Sequence, residues 1–360
     1  MTPPSVLLDL SLLSLLLPYT STFTPLTTLG QSSIPFPSPS SASALGTWSW
    51  GNKLLYSYNE SDDANILEAY CRAREMGMTL FDTGDSYGTG KIQGNAEKLL
   101  RLGEERYIKA NPNPPTKPIF LSKIAVYPWL LTTNSYYANI LSSRSRLGVA
   151  SSSCHFIPSL HWSPSRYLPL QKGAVYSGLL KAYETGNADA VGLSNLGPSE
   201  LADAMEYFKS RSVPVACNQV QASLAVDYDA DVRPAVDVAE RGGVATLGYS
   251  PLALGLFAKE RTGRGGARGF LFDRLGGGEG GAELLRAVKD VADRNEGTDS
   301  QVALAWVRRS GCIPLFGARG VGRVEENLKP FEIGDEDFEE LEAAREGLKN
   351  KATKNIFMTS

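Results

Sequence analysis

The chain has 360 residues, 42% of them apolar, and a formal charge of −3, enough for one large domain or two ordinary ones with ample core. A balance this close to neutral offers no basic surplus for nucleic-acid binding and no acidic tail. Cys71, Cys154, Cys217 and Cys312 lie far apart with no C-x-x-C pair, which fits neither a zinc site nor a disulfide framework and reads as reduced, mostly buried thiols.

Residues 1–44 differ from the rest: they are rich in Ser, Thr, Pro and Leu, contain Asp9 as their one acidic residue, and precede the first basic residue, Lys53. "SVLLDLSLLSLLLP" is too short and interrupted for a membrane span and is closer to a signal-peptide core, while "PFPSPSSASA" reads as a flexible spacer. The expectation is a targeting leader or disordered extension over 1–44, a folded unit over 45–350 and a tail over 351–360. The acid-poor, hydroxyl-rich leader suggests delivery to a plastid, with the cytoplasm as the alternative. No other stretch reads as membrane-spanning.

From Gly46 onward, apolar β-type runs alternate with helical-period segments. "DDANILEAYCRAREMG" places Ile66, Leu67, Tyr70, Ala73 and Met76 on one helical face, with Asp62 and Asp63 at the end where the helix dipole favours them. Strand "MTLFD" follows, then a helix near 94–102, strand "PIFLSK", a helix near 135–147, strand "HFIPSLH" and a helix near 171–186. Next come strand "ADAVGLSN", a helix near 198–210, strand "VACNQVQ", a helix near 232–241, strand "VATLGYS", helices near 282–294 and 299–309, and strand "CIPLFG". Each strand is a nearly continuous apolar run, as in a parallel sheet covered on both faces.

With the opening "LGTWSW" this makes about eight strands, so the choice is between a closed (β/α)8 TIM barrel and an open doubly wound sheet. An open dinucleotide-binding sheet concentrates its chemistry at the first Gly-rich turn, and no G-x-G-x-x-G follows a first strand here. Instead Asp82, Lys123, His161, Ser194 with Asn195, Gln219 and Tyr249 each end a different strand. That distribution favours the barrel, whose mouth gathers strand ends.

The stretch "FDTGDSYGTG" adds Tyr87 to this set. An acid, a phenol, an amine and an imidazole suit carbonyl reduction, where hydride adds to carbon and a proton must reach oxygen. Tyr87 would donate that proton, its pKa lowered toward working pH by the Lys123 ammonium. Asp82 would keep Lys123 charged and oriented, His161 would hydrogen-bond the substrate oxygen, and Asp85 and Ser86 read as turn residues.

These stretches are similar, in order, to motifs of the aldo-keto reductase family. "FDTGDSYG" resembles "FDTAxxYG", "LSK" resembles "xTK", "SLHW" resembles "QLHWP", "AVGLSN" resembles "xVGVSN" and "CNQVQ" resembles "xNQVEYS". "GYSPLALGL" is similar to "AYSPLxxGL" and "IPLFGARGVGRVEENL" to "IPGAxxxxxxEENL"; the matches run from about Gly46 to about Leu328. "GTWSWGNK" also resembles plant and algal members, some of them plastid proteins.

The resemblance implies a (β/α)8 barrel that binds NADP(H) across the strand ends and reduces an aldehyde or ketone, with the tetrad Asp82, Tyr87, Lys123 and His161. It implies that Ser194, Asn195 and Gln219 hold the nicotinamide carboxamide, Tyr249 stacks on the ring, and Ser250, Leu252 and Gly255 lie along the pyrophosphate. Arg319 and Arg323 would clamp the 2′-phosphate, selecting NADP over NAD, with Glu326 and Asn327 at the adenine; Thr47 and Gly317 complete the cofactor set. No metal is implied, and the partner expected is a small carbonyl compound.

Gly84 stands where the family has Ala, and Ser122 where it has Thr. "GVASSSCHFIPSLHW" lacks the family's Asp and sets Pro158 inside a strand, where a missing donor is disfavoured, so His155, the only other histidine, is the alternative to His161. The Gly-rich run 261–281 lacks the G-K-[ST] of a P-loop and reads as a loop over the cofactor with Arg261 or Arg264 reaching a phosphate. "DEDFEELEAAREGLKNK" reads as a solvated amphipathic helix. Trp48, Trp50, Tyr127, Trp129 and Trp162 are candidate pocket walls. Two other readings use the same residues: an NADP(H)-sensing subunit with vestigial turnover, and a Schiff-base aldolase with Lys123 as nucleophile.

Overall fold

Residues alternate between two faces along every strand, and in the computed structural model, which describes residues 28–36, 42–88, 93–149, 154–164, 169–258 and 280–348, that alternation closes a cylinder. The strands are β1 (Ala44–Gly46), β2 (Leu80–Gly84), β3 (Ile119–Ile124), β4 (His155–Leu160), β5 (Val191–Ser194), β6 (Val215–Gln221), β7 (Ala245–Tyr249) and β8 (Ile313–Gly317). All pair in parallel in chain order, and β1 pairs with β8 to close the (β/α)8 barrel. Inward positions stack Leu80, Ile119, Leu121, Ile157, Leu247, Ile313 and Leu315 into one core. Outward positions such as Phe81, Phe120 and Phe156 join a second core beneath the helices, each such burial contributing about 1.5–3 kcal/mol.

The helices are α1 (Lys53–Tyr56), α2 (Asp63–Glu75), α3 (Asn95–Ala110), α4 (Thr133–Arg146), α5 (Lys172–Glu184), α6 (Pro198–Lys209), α7 (Arg233–Arg241), α8 (Gly281–Arg294), α9 (Asp299–Arg309), α10 (Val321–Leu328) and α11 (Asp335–Glu346). On α2, Ile66, Ala69, Tyr70 and Ala73 are buried, and Tyr70 lies 4.6 Å from Phe81, ring centre to ring centre. Gly103 of α3 permits this approach, since a Cβ there would sit 2.6 Å from the Tyr70 ring. No helix among the described residues is long and apolar enough to cross a membrane. All four cysteines are free thiols, Cys71 half-buried and the others buried.

Three features depart from the sequence expectation. The first strand is short, giving way to a turn after Gly46 in which the Trp50 N–H donates to the Thr47 carbonyl. Residues 28–36, expected within the leader, belong to the fold: Thr28 bridges Pro35, and Leu29, Ile34 and Phe36 are buried in the inner core. Pro158, which argued against a strand, stands inside β4. The His155 N–H donates toward β3, to the Pro118 carbonyl, and the Phe156 N–H toward the opposite side, to Asp189 Oδ2 at 2.8 Å. That alternation turns the Pro158 nitrogen toward β5, where β4 makes a single register pair, Ser159 with Gly192. The missing donor therefore costs little, because the ladder on that side is already short.

Candidate active site

The inward series of β2 runs from Leu80 to Asp82, and that of β3 from Ile119 and Leu121 to Lys123, so apolar layers end in a carboxylate and an ammonium at the mouth of the barrel. Lys123 Nζ donates to both Asp82 oxygens at 2.5 Å and to the Tyr87 hydroxyl at 3.0 Å. Gln219 Nε2 donates to Asp82 Oδ1 at 2.8 Å. Tyr87 is brought back over the barrel by a turn in which its N–H donates to the Gly84 carbonyl at 3.0 Å. A Cβ at residue 84 would lie 3.1 Å from the Tyr87 ring and 3.4 Å from Lys123 Cβ, so glycine leaves the phenol its place.

His161 follows β4 directly, its ring 5.9 Å from that of Tyr87 and stacked on Trp162 at 4.3 Å. Ser86 Oγ stands 3.3 Å from His161 Nδ1. His155 opens the same strand at the opposite end of the barrel, paired with Asp189. The four residues expected to act together are thus adjacent.

Burial works against both charges of the Asp82–Lys123 pair, pushing the carboxyl up and the ammonium down, and their mutual attraction opposes this. Burial also raises the Tyr87 phenol well above its ordinary value, with the Asp82 charge adding to the effect. That direction is opposite to the lowering expected from Lys123: burial, which disfavours the phenolate, comes first among its causes. Burial, then the Lys123 charge, pushes His161 down to about 3, so its imidazole is neutral at working pH.

Beside this cluster lies a shelf of polar strand ends. Ser194 Oγ donates to the Gln219 carbonyl at 3.2 Å, Asn195 Nδ2 to the His161 carbonyl at 3.1 Å, and the Tyr249 hydroxyl to Asn195 Oδ1 at 3.0 Å. Ser250, Leu252 and Gly255 continue the shelf in the loop after β7, where Ser250 and Gly255 have φ of 54° and 105°. Thr47 Oγ1 donates to the Asp82 carbonyl at 3.0 Å. Gly317 ends β8; Arg319 stands just ahead of α10, its guanidinium 3.2 Å from Asp62 Oδ2, and Arg323, Glu326 and Asn327 lie on α10. Glu326 Oε1 is buried with no hydrogen-bond partner. Arg261 and Arg264 lie outside the described residues.

The candidate walls divide. Trp50 is fully buried, its indole N–H donating to the Ala318 carbonyl at 2.8 Å; it is a core strut between the β1 and β8 loops, not a pocket wall. Trp48 packs edge-on against Tyr56, and Trp129 stacks on Tyr127 while remaining 69% exposed. Asp85, read from sequence as a turn residue, is buried: it accepts from the Ala125 N–H at 3.2 Å and from Asn139 Nδ2 at 2.6 Å. Neither partner neighbours it in sequence: the β2–β3 register brings Ala125 to it, and α4 brings Asn139.

A parallel eight-stranded barrel with an Asp–Lys–Tyr chain and a histidine at its mouth defines a class of oxidoreductase. The chain belongs to the aldo/keto reductase family, whose pattern it matches over residues 44–346. It is 34% identical over 322 residues to a chloroplastic pyridoxal reductase of Arabidopsis thaliana, covering 88% of this chain and 86% of the relative. It is 24% identical to the L-glyceraldehyde 3-phosphate reductase of Escherichia coli K12, covering 79% of this chain and 83% of the relative. Among solved structures, a Bombyx mori aldo-keto reductase in complex with NADP superposes with a TM-score of 0.63 at 17% identity, over 89% of this chain and 93% of that one.

Proposed function

We propose that the protein reduces an aldehyde to an alcohol with NADPH, Tyr87 supplying the proton, and that its substrates include planar aromatic aldehydes of the pyridoxal type. The observation that carries this is the hydrogen-bonded chain from Asp82 through Lys123 to a buried Tyr87. NADPH, when bound, supplies the hydride. The residues present fit it. Ser194, Asn195 and Gln219 offer amide and hydroxyl groups for a carboxamide, and Tyr249 offers a ring face. Arg319 and Arg323 meet a 2′-phosphate at the N-terminal end of α10, where the helix dipole favours an anion. The unpartnered Glu326 Oε1 suits an exocyclic amine of adenine.

Tyr87 is the proton donor because its hydroxyl is neutral and already bonded to Lys123, so the phenolate left after transfer is stabilised by an adjacent ammonium at the moment charge develops. Asp82 and Gln219 fix that ammonium. Neutral His161 donates from one ring nitrogen to the carbonyl oxygen and orients it. The rings of Trp48, Trp129 and Trp162 offer flat apolar surface to an aromatic aldehyde, which agrees with the named activity of the Arabidopsis relative. That relative's name and the composition of the leader together support a plastid destination.

The test is NADPH consumption with pyridoxal, 4-nitrobenzaldehyde and methylglyoxal, alongside fluorescence titration of NADPH. Turnover with at least one aromatic aldehyde is expected. Absence of NADPH binding would refute the proposal, whereas tight binding with no turnover on any carbonyl would favour a cofactor-sensing subunit.

A further inference from the structure

We propose that Asp85 is a positioning residue for proton transfer: its carboxylate ties the turn that carries Tyr87 to the end of the strand that carries Lys123, and both to α4, holding phenol and ammonium at bonding distance. The inference rests on the reductase reading of the same site. Its geometry is symmetric about the reacting pair. Asp85 precedes Tyr87 by two residues, and its bonded partner Ala125 follows Lys123 by two, so the bonds from the Ala125 N–H at 3.2 Å close a short loop through both catalytic side chains. The Asp85 N–H returns to the Lys123 carbonyl at 2.9 Å. Asn139 Nδ2, at 2.6 Å, anchors the carboxylate to α4.

A turn aspartate would ordinarily face water. Asp85 is instead 3% exposed, and among the described residues no cation makes a salt bridge to it. The charged and titratable groups around it are Glu97 on α3, Arg146 and Tyr136 on α4, Tyr127 after β3, and Tyr87 on its own turn. Arg146 is committed elsewhere, to Glu97 Oε2 at 2.5 Å, and Glu97 in turn accepts from Ser122 Oγ at 2.6 Å beside Lys123. Burial, with Glu97 adding, pushes the Asp85 carboxyl up to about 7, while Asn139, Ala125 and Arg146 pull it down. Protonation turns one acceptor oxygen into a donor facing donors, which releases one of the two anchors. Turnover therefore falls as pH drops through about 7.

The experiment measures the pH dependence of kcat for 4-nitrobenzaldehyde at saturating NADPH, with NADPH Kd by fluorescence, in the wild type, Asp85→Asn, Asn139→Ala and the exchange Asp85→Asn with Asn139→Asp. In Asp85→Asn, kcat is expected to fall about 10- to 100-fold with NADPH affinity unchanged, and the acid limb near neutrality to disappear. The exchange restores an acceptor opposite a donor and is expected to recover most of kcat. Asn139→Ala, which removes a bond favouring the charged form, is expected to move the acid limb to higher pH; it also keeps the test open if Asp85→Asn does not fold. Wild-type kcat and an intact acid limb in folded Asp85→Asn would overturn the proposal, as would a loss confined to thermal stability. Tyr87→Phe run in parallel separates the two readings: if it is inactive while Asp85→Asn is normal, the positioning role alone fails, and if it turns over normally the assignment of Tyr87 as proton donor fails as well.

Discussion

Tyr87 sits where burial and an adjacent ammonium pull in opposite directions, and burial dominates. A phenol held neutral is ready to give a proton and reluctant to accept the role of base. Reduction is therefore expected to be nearly flat above neutral pH, whereas oxidation of the corresponding alcohol should rise with alkalinity. Initial rates in both directions across pH check this. Asp85 behaves differently, its folded-state value lying above the ordinary 3.8 at about 7. A raised carboxyl stabilises the fold fully below its unfolded value, and that contribution is lost as pH rises through about 7. Melting temperatures of the wild type, corrected by those of Asp85→Asn, should accordingly fall as pH rises from the ordinary carboxyl value of 3.8 toward about 7. At this scale the closeness of Asp82, Lys123 and Tyr87 was legible in sequence because the first two lie at the ends of neighbouring strands and Tyr87 follows one of them in a turn. Asp85 was not, because its partners Ala125 and Asn139 are 40 and 54 residues away and aspartate is ordinary in a turn.

Among the elements, β4 shows why a sequence rule can be locally broken. Pro158 removes a donor from the side on which β4 already pairs only once, so His161 still reaches the mouth. The β4 sequence does not reveal this one-sided ladder, six register pairs with β3 against one with β5. At the opposite side of the site, Arg319 ahead of α10 is held by Asp62 at 3.2 Å in a half-buried pair; in the proposed complex the guanidinium would exchange this partner for the 2′-phosphate. Arg319→Ala is expected to weaken NADPH binding about 10- to 100-fold, the loss of one or two charge-assisted hydrogen bonds, with NADH binding nearly unchanged. Equal loss for both nucleotides in paired titrations would remove the 2′-phosphate assignment.

For the whole molecule, the count of alternating segments and the scatter of polar residues over many strand ends were enough to choose a closed barrel over an open sheet. The start of the fold was less visible. Residues 28–36 share the Ser-, Thr- and Pro-rich composition of what precedes them, yet Leu29, Ile34 and Phe36 fill the inner core beneath the strands. Any leader processing is thus expected to cut ahead of Thr28. A chain beginning at residue 42 would expose this apolar floor and lose several kcal/mol, about 1.5–3 for each large side chain, which a comparison of denaturant midpoints for chains beginning at 28 and at 42 would reveal.

In the proposed reaction one phenol, held by the Asp82–Lys123 pair, carries the proton to the substrate. Single-turnover oxidation of NADPH by pyridoxal in Tyr87→Phe, with NADPH binding followed by fluorescence in the same preparation, tests it most directly. Binding within about twofold of the wild type is expected, with a hydride-transfer rate lower by about 10²–10⁴. A variant that binds NADPH normally and transfers hydride at the wild-type rate would contradict it.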